Sequence, residues 1–507
     1  MADDRRSKTS ATLIRVAVAR SLLVLLVLII CLGCACAVML RCRYEEGRRG
    51  TDDVAAPRVA MAAEPQPQGR IETALTYTCI DKDGTGEVED TFVWDDAWFT
   101  EGGPAYDSEL ARTCAVLSTL AYSESGYYQE ASDQPAYMED ALARLGFDEV
   151  STESYRFRSE VVDQVLNLIM QQEDTVAYTL ARKRVTTQTG ETVSVILMVA
   201  RGSYGSEWLS NLKLAIEDEM AGHEEQEAGT DGDTGDAAED ATGVGTPTAA
   251  EMDAQSALED AMGDSAHQGY SEAAEEVWGA LSSWIDESHA AGERVALVTC
   301  GHSRGGAIAN LIAARAADEL AYAQTETDEA ASGAGALAGY TGAVADEDAS
   351  SRTHMAATDT VRAYTFASPR TTVSERAHDD RYSSIYNVVN PADIMPSLPL
   401  ATWGYERYGC DVLLPRVGDD GFDAAHAQME AQFERVMGMP NQSVPADAHV
   451  VDTVVREVGE QVTSTAELMS PSGVAQAVGI LAQHVDPERM LRGHMPSVYL
   501  AWLSACA

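Results

Sequence analysis

A pentapeptide with the pattern Gly-x-Ser-x-Gly, residues 301–305, could supply a nucleophilic hydroxyl at Ser303. An apolar run, 295–298, precedes it, and a stretch of small residues follows it. Short apolar runs are typical of buried parallel strands. The sequence therefore predicts a strand, a sharp turn and a helix, with Ser303 exposed at the turn. Gly301 and Gly305 would let the strand and the helix approach each other closely.

A serine hydroxyl is a weak nucleophile, so it needs a general base and a carboxylate that orients the base. Where a serine stands on such a turn, the chain order is serine, then an acid, then histidine. Asp393 follows the strand-like run 383–390 and lies in a loop between Pro391 and Pro396. Catalytic groups of open α/β sheets gather at the carboxyl ends of strands. Asp393 is therefore the predicted acid.

Five stretches of the chain resemble, in order, motifs of the class 3 lipase family of α/β-hydrolases, and together they span roughly residues 90–505. They are 195–203 with 207–212, 267–270 (His-Gln-Gly-Tyr), 301–306, 365–370 (Thr-Phe-Ala-Ser-Pro-Arg) and 393–396 (Asp-Ile-Met-Pro). The resemblance implies a mostly parallel, doubly wound sheet with helices on both faces. It also implies hydrolysis of carboxylic esters, most of all those of lipids, with neither a metal nor an organic cofactor.

The base could be any of the histidines that follow Asp393, which are His426, His449, His484 and His494. The family's histidine lies near the C-terminus and precedes a short apolar helix. By this resemblance His494 is the expected base, because Pro496 suits the first turn of a helix. His484 reads as part of another helix and is the second choice. His302, beside the serine, is expected to support the turn.

The oxyanion of the tetrahedral intermediate needs backbone or side-chain donors. One is expected from the backbone N–H of Arg304, the residue after the nucleophile. By resemblance the other comes from Ser203. The chain departs from the family at Arg304, where leucine is usual, and at Ala367, where glycine is usual. A cation at Arg304 would lie beside the reaction centre and argues against a preference for plain triglycerides.

Three functions other than triacylglycerol hydrolysis stay open at this point. Phospholipid hydrolysis and hydrolysis of soluble short-chain esters would use the same serine, aspartate and histidine. A surface-displayed binding protein on an inactive hydrolase scaffold would not need them. The intact set of candidate side chains favours an enzyme.

Acidic segments dominate the charge of the chain, which has 507 residues and a formal net charge of -46. Two segments, at about 217–264 and 324–358, are predicted to be low-complexity insertions in a catalytic domain that spans 71–507. The first contains neither Lys nor Arg and lies where the family carries its lid. A solvated loop without function is the other interpretation of it. The negative charge argues against nucleic-acid partners, whose phosphates it would repel.

The N-terminal region predicts export. A basic cytoplasmic segment, 1–20, precedes an apolar segment, 21–41, that is long enough to span a bilayer as a transmembrane anchor. Residues 42–70 are then a linker, and the catalytic domain would lie outside the cell. Two alternatives are a signal peptide cleaved near 35–37 and a lipoprotein attached at Cys34.

Two amphipathic helices are predicted from apolar residues at helical spacing. The first spans 109–122 and carries Arg112, which is interpreted as a solvated charge. The second spans 271–285 and would pack beside the strand that carries the nucleophile. Ser271 is its expected N-cap, since a serine oxygen can accept a hydrogen bond from a backbone N–H of the first helical turn.

Overall fold

Ten strands and eleven helices make up the part of the chain that the computed structural model describes, which is 59–60, 67–79, 87–100, 105–130, 137–153, 176–202, 249–332, 353–468 and 470–506. The strands are β1 (Val59–Ala60), β2 (Arg70–Thr78), β3 (Glu87–Asp95), β4 (Glu149–Glu153), β5 (Tyr178–Thr186), β6 (Thr192–Ala200), β7 (Arg294–His302), β8 (Thr360–Phe366), β9 (Ile385–Val389) and β10 (Cys410–Leu413). The helices are α1 (Ala97–Thr100), α2 (Ser108–Glu130), α3 (Tyr137–Arg144), α4 (Ala249–Ala290), α5 (Arg304–Ser332), α6 (Phe422–Met437), α7 (Ala448–Gln461), α8 (Thr465–Leu468), α9 (Pro471–His484), α10 (Pro487–His494) and α11 (Pro496–Cys506).

The central sheet has eight strands in the order β1-β4-β5-β6-β7-β8-β9-β10. Strands β6 to β10 run parallel to one another, and β1, β4 and β5 extend one edge with antiparallel pairs. The crossovers between β6, β7 and β8 contain the long helices α4 and α5, as parallel strands require. The predicted doubly wound α/β sheet is confirmed. Strands β2 and β3 form a separate antiparallel hairpin.

Alternate residues of β6 pack into two different cores on the two faces of the sheet. Val195 and Val199 join a core that also contains residues of α2, α6 and α11. Ile196 and Met198 join a second core with residues of α4 and α5. Successive side chains of a strand point to opposite faces, so a strand that is apolar throughout is buried on both. The expected helices on both faces of the sheet are therefore present.

A third apolar cluster lies in the helices between β10 and α11. Val451, Val454 and Val458 of α7 pack there with Ile480 of α9. Leu400, from the loop that follows β9, belongs to the same cluster. This helical region therefore rests on the loop that carries Asp393, and its last helix, α10, ends at His494.

The helix predicted at 109–122 is α2, but the interpretation of Arg112 as a solvated charge is wrong. Its guanidinium donates to both carboxylate oxygens of Asp90 at 2.8 Å, and the two side chains are only 15% and 2% exposed. Arg112 also donates to Oγ of Ser504 at 2.8 Å. The hairpin and α11 cover this side of α2, which the spacing of apolar residues along one helix cannot reveal.

The two acidic segments are more structured at their ends than predicted. Helix α4 begins at Ala249, so the N-cap predicted at Ser271 is wrong, and part of the first segment is helical. Helix α5 continues to Ser332, within the second segment. Near the end of that segment, Met355 is 2% exposed and packs in the core beside α4 and α5. The remaining positions of the two segments, 217–248 and 333–352, lie outside the described residues.

The N-terminal predictions are mostly beyond the described part of the chain. The basic segment 1–20, the transmembrane segment 21–41 and most of the linker 42–70 lie outside it. Residues Val59–Ala60, which fall within the predicted linker, pair with β4 and so join the sheet. Within the residues that the structure describes, none of the helices is long and apolar enough to cross a membrane.

Candidate active site

Ser303 lies on a sharp turn between β7 and α5, as the Gly-x-Ser-x-Gly pattern predicts. Its φ is 58°, a left-handed value that few residues other than glycine adopt. A Cβ atom on Gly301 would collide with the carbonyl group of Gly305, and one on Gly305 would collide with that of Ala200. Both glycines are therefore required by the close approach of the backbone segments, for the reason predicted.

Ser303, His494 and Asp393 lie together although they are far apart in the chain. Nε2 of His494 is 3.1 Å from Oγ of Ser303, and Nδ1 of His494 is 2.8 Å from Oδ2 of Asp393. Asp393 has a fully buried side chain, whereas that of His494 is 14% exposed. An ionised carboxylate can only accept, so Nδ1 is the donor to Asp393, and in the neutral imidazole Nε2 is then the acceptor that faces the serine hydroxyl.

Asp393 is buried but well supplied with hydrogen-bond donors. Its Oδ1 accepts from the backbone N–H of Met395 at 2.9 Å. Its Oδ2 accepts from the hydroxyl of Tyr499 at 2.8 Å, in addition to Nδ1 of His494. A buried carboxylate is costly unless it is hydrogen-bonded, and these donors offset that cost. Burial and the nearby Asp393 raise the pKa of Tyr499 well above its usual value, so the phenol stays a donor.

The segment that carries His494 packs closely on the loop that carries Asp393. Nδ2 of Asn390 donates to the carbonyl oxygen of Gly493 at 2.8 Å. A Cβ atom on Gly493 would lie 2.7 Å from the carbonyl oxygen of Ala392, so only glycine fits there. The loop after β9 and the end of α10 are thus fixed relative to each other, which fixes the aspartate relative to the histidine.

The three other histidines that follow Asp393 make contacts elsewhere. His484 ends α9, and its Nε2 lies 2.9 Å from a carboxylate oxygen of Glu457. His426 stacks on Phe422 with ring centroids 5.4 Å apart. His449 is exposed on α7. Among these four histidines, His494 is the one that lies within hydrogen-bond distance of Ser303.

The expected oxyanion donors are only partly described. Arg304 is the first residue of α5, the helix that begins directly after Ser303. Its side chain is buried, since the residue is 4% exposed. Ser203 lies outside the described residues. Its neighbour Gly202 is described, and a Cβ atom there would collide with the hydroxyl of Tyr122.

Ala367 has a φ of 53°, which explains why glycine is the expected residue at this motif position. The left-handed region places Cβ too close to the following carbonyl oxygen. The substitution therefore leaves local strain at the carboxyl end of β8 without removing any polar side chain from the site.

Sequence reasoning missed three polar residues around Ser303 and His494. Tyr499 donates to Asp393, Asn390 donates to the carbonyl oxygen of Gly493, and Tyr122 binds Nδ1 of His302 at 3.0 Å. His302 contacts α2 and the backbone of His494, so its role extends beyond the turn it was expected to support. Each contact joins segments at least 100 residues apart in the chain, and no short motif records such a pair.

Comparisons with known proteins give one family match, over part of the chain, and several similar solved structures. Residues 229–330 match the family model "Lipase (class 3)", a range that includes the Ser303 turn. Similar solved structures include Rhizomucor miehei lipase in a propeptide complex, with 18% identity and a TM-score of 0.27. This match covers 61% of this chain and 70% of that chain. A mutant form of MDLA from Penicillium cyclopium has 17% identity and a TM-score of 0.29, and the match covers 62% of this chain and 83% of that chain. The lipase of Rhizopus microsporus var. chinensis has 14% identity and a TM-score of 0.23, and the match covers 72% of this chain and 84% of that chain.

No curated protein matches the chain significantly. The family model nevertheless covers both the serine turn and the helix that precedes its strand, where two of the five motifs lie. The resemblance predicted from the sequence is thereby confirmed. Residues 229–330 are therefore similar to the class 3 lipases, and this similarity supports a carboxylic ester hydrolase.

Proposed function

We propose that this protein hydrolyses ester bonds of lipids through a catalytic triad of Ser303, His494 and Asp393. Ser303 attacks the ester carbonyl carbon, and His494 Nε2 accepts the hydroxyl proton. His494 then donates that proton to the leaving alcohol, and a water molecule hydrolyses the acyl-enzyme with His494 again as base. Asp393 holds the imidazole in the required tautomer and stabilises the imidazolium that forms.

One observation carries this proposal. Nε2 of His494 is within hydrogen-bond distance of Ser303 Oγ, at 3.1 Å, while Nδ1 is 2.8 Å from the buried carboxylate of Asp393. A nucleophile, a base that can reach it and a third group that orients the base are the combination that activates serine. The three residues also follow one another along the chain in the order serine, acid, histidine that is expected where the serine stands on such a turn.

The oxyanion is proposed to bind the backbone N–H of Arg304 and donors of Ser203. The N-terminus of α5 supports the first assignment, because N–H groups there point out of the helix and the helix dipole favours negative charge. Because the side chain of Arg304 is buried, the contact proposed for the oxyanion is with its backbone amide. In the sequence, Ser203 follows Gly202, which lies just beyond β6, the strand next to the serine strand.

Lipid esters are the proposed substrate class, on the strength of the class 3 lipase match. Phospholipids and soluble short-chain esters use the same chemistry and remain the alternatives. The proposed location is outside the cell, anchored through 21–41, with a secreted form or a lipoprotein as alternatives. This location depends on the N-terminal sequence alone.

The test is a panel of esters with acyl chains of increasing length, together with a phospholipid, assayed on the purified protein. We expect hydrolysis of lipid esters, and we expect Ser303→Ala to reduce kcat by several orders of magnitude, about 10⁶-fold for a serine nucleophile. A matched control is Ser374→Ala, since Ser374 forms its hydrogen bonds within a surface loop. Hydrolysis that survives in Ser303→Ala, or a folded wild type inactive on every ester, would reject the proposal.

A further inference from the structure

His302 connects the nucleophile strand to the segment that carries His494. The residue is 3% exposed and ends β7 directly before Ser303. Its Nε2 is 2.8 Å from the carbonyl oxygen of His494, and its Nδ1 is 3.0 Å from the hydroxyl oxygen of Tyr122. The rings of His302 and His494 have centroids 4.9 Å apart. Three segments of the chain therefore meet at this one imidazole.

The partners of His302 define where its proton lies. A carbonyl oxygen can only accept, so Nε2 of His302 must carry the proton that it donates to His494. In the neutral ring Nδ1 is then an acceptor, and Tyr122 is its donor. Burial lowers the pKa of the His302 imidazole well below its usual value, and the neighbouring His494 lowers it further. The ring is therefore neutral, and one tautomer satisfies both contacts.

The carbonyl that His302 binds belongs to the last residue of a helix. His494 ends α10, and the final carbonyls of a helix lack partners within it. His302 supplies the donor for this one, while Asn390 supplies the donor for the carbonyl of Gly493. The backbone on which the His494 imidazole stands is thus held from the strand of Ser303 and from the loop of Asp393.

We propose that His302 and Tyr122 are positioning residues that hold the backbone of His494, so that its Nε2 stays within hydrogen-bond distance of Ser303 Oγ. This inference rests on the proposed function, in which His494 is the general base. Tyr122 acts through His302, because its hydroxyl fixes the ring that donates to His494. A misplacement of about 1 Å can cost about 10²-fold in rate, so loss of this support should reduce kcat.

The experiment compares two amides at position 302. The side-chain nitrogen of glutamine can reach the place of Nε2, so His302→Gln keeps the donor to His494. Asparagine reaches only the place of Nδ1, so His302→Asn keeps the contact with Tyr122 and loses the contact with His494. We expect kcat to fall about 10²-fold in His302→Asn, with KM little changed, and less than about 10-fold in His302→Gln.

A spectroscopic readout separates positioning from a general structural role. The proton between His494 Nδ1 and Asp393 should give a downfield imidazole signal in the proton NMR spectrum, and we expect His302→Asn to shift or broaden it. The control is His378→Ala, which removes a hydrogen bond of the same kind, because Nδ1 of His378 lies 2.7 Å from the backbone carbonyl oxygen of Gly409. His378→Ala should leave both kcat and the signal unchanged.

If His302→Asn does not fold, Tyr122→Phe carries the test, because it removes only one hydroxyl group. A several-fold loss of kcat with a shifted downfield signal would support the inference, and wild-type values of both would overturn it. Equal kcat values in folded His302→Asn and His302→Gln would also overturn it. An active Ser303→Ala would instead overturn the proposed function. An inactive Ser303→Ala beside a His302→Asn with wild-type kcat would overturn only the positioning role.

Discussion

The hydroxyl of Tyr499 donates a hydrogen bond across 2.8 Å to Oδ2 of Asp393, the oxygen that also faces Nδ1 of His494. Tyr499 is buried, and its own oxygen accepts from the backbone N–H of Asn390 at 3.2 Å. One phenol therefore connects the aspartate to the strand end that carries it. Its hydrogen bond stabilises the ionised carboxylate, which the proposed mechanism needs when His494 becomes charged.

Tyr499→Phe should lower kcat about 10-fold while KM changes little, since a hydrogen bond to a charged group is worth about 1.5–3 kcal/mol. The aromatic ring and its packing are retained. The matched control is Tyr382→Phe, because Tyr382 donates to Oδ1 of Asp318 at 2.8 Å in another part of the protein. Steady-state kinetics on both variants checks the prediction, and equal kcat values would contradict it.

His494→Ala should reduce kcat about as much as Ser303→Ala, and the double variant should be little worse, because members of a triad act as a unit. His484→Ala is the matched control, since His484 also lies 2.9 Å from a carboxylate, that of Glu457. We expect it to retain most of the activity. The account would be contradicted if His484→Ala were the inactive variant and His494→Ala the active one.

The serine turn could be predicted from sequence because backbone geometry restricts which residues fit it. The collisions that a side chain at Gly301 or Gly305 would cause leave a readable pattern of glycines. Asp393 could be predicted equally well, because catalytic groups of open α/β sheets gather at the carboxyl ends of strands. His494 could be chosen among four histidines only through the resemblance.

The contacts of buried polar side chains could not be predicted. Arg112 has the spacing of a solvated helix residue, and its partner Asp90 comes from a hairpin that only the folded chain brings close. Tyr122 and His302 are 180 positions apart, and nothing local marks them as a pair. The start of α4 could not be predicted either. The helix begins in an acidic stretch, where polar residues lack the apolar spacing that indicates a helix in the sequence.

Arg112→Met should lower the free energy of unfolding by about 3 kcal/mol, because it leaves the Asp90 carboxylate buried without its main partner. Methionine retains most of the packing of the aliphatic stem. Arg70→Met is the control, because Arg70 pairs with Glu109 on the surface, where both side chains are largely exposed. Urea denaturation of the three proteins checks this, and equal midpoints for the two variants would contradict it.

Glu124 should make the protein less stable as the pH rises. Burial raises the pKa of Glu124 from about 4.5 to about 7, so the folded protein holds a proton that the unfolded chain has lost. By linkage, the free energy of unfolding then falls by a total of about 3 kcal/mol between pH 4.5 and 7. It stays at the lower value above pH 7.

Glu124→Gln should remove this dependence, because glutamine is neutral and still accepts from the backbone N–H of Met138. We expect a higher urea midpoint than wild type at pH 8 and a similar midpoint at pH 5. A difference between the two proteins that stays the same at pH 5, 6, 7 and 8 would contradict the assignment of a raised pKa to this carboxyl.

Covalent labelling of Ser303 by a fluorophosphonate tests the central claim most directly. The reagent phosphonylates an activated serine, so the intact mass of the wild-type protein should increase by one adduct, located on the peptide that contains Ser303. Ser303→Ala should not be labelled, and His494→Ala should be labelled far more slowly, because the base no longer accepts the proton. A folded wild type that stays unlabelled, or an adduct at another serine that persists in Ser303→Ala, would contradict the account.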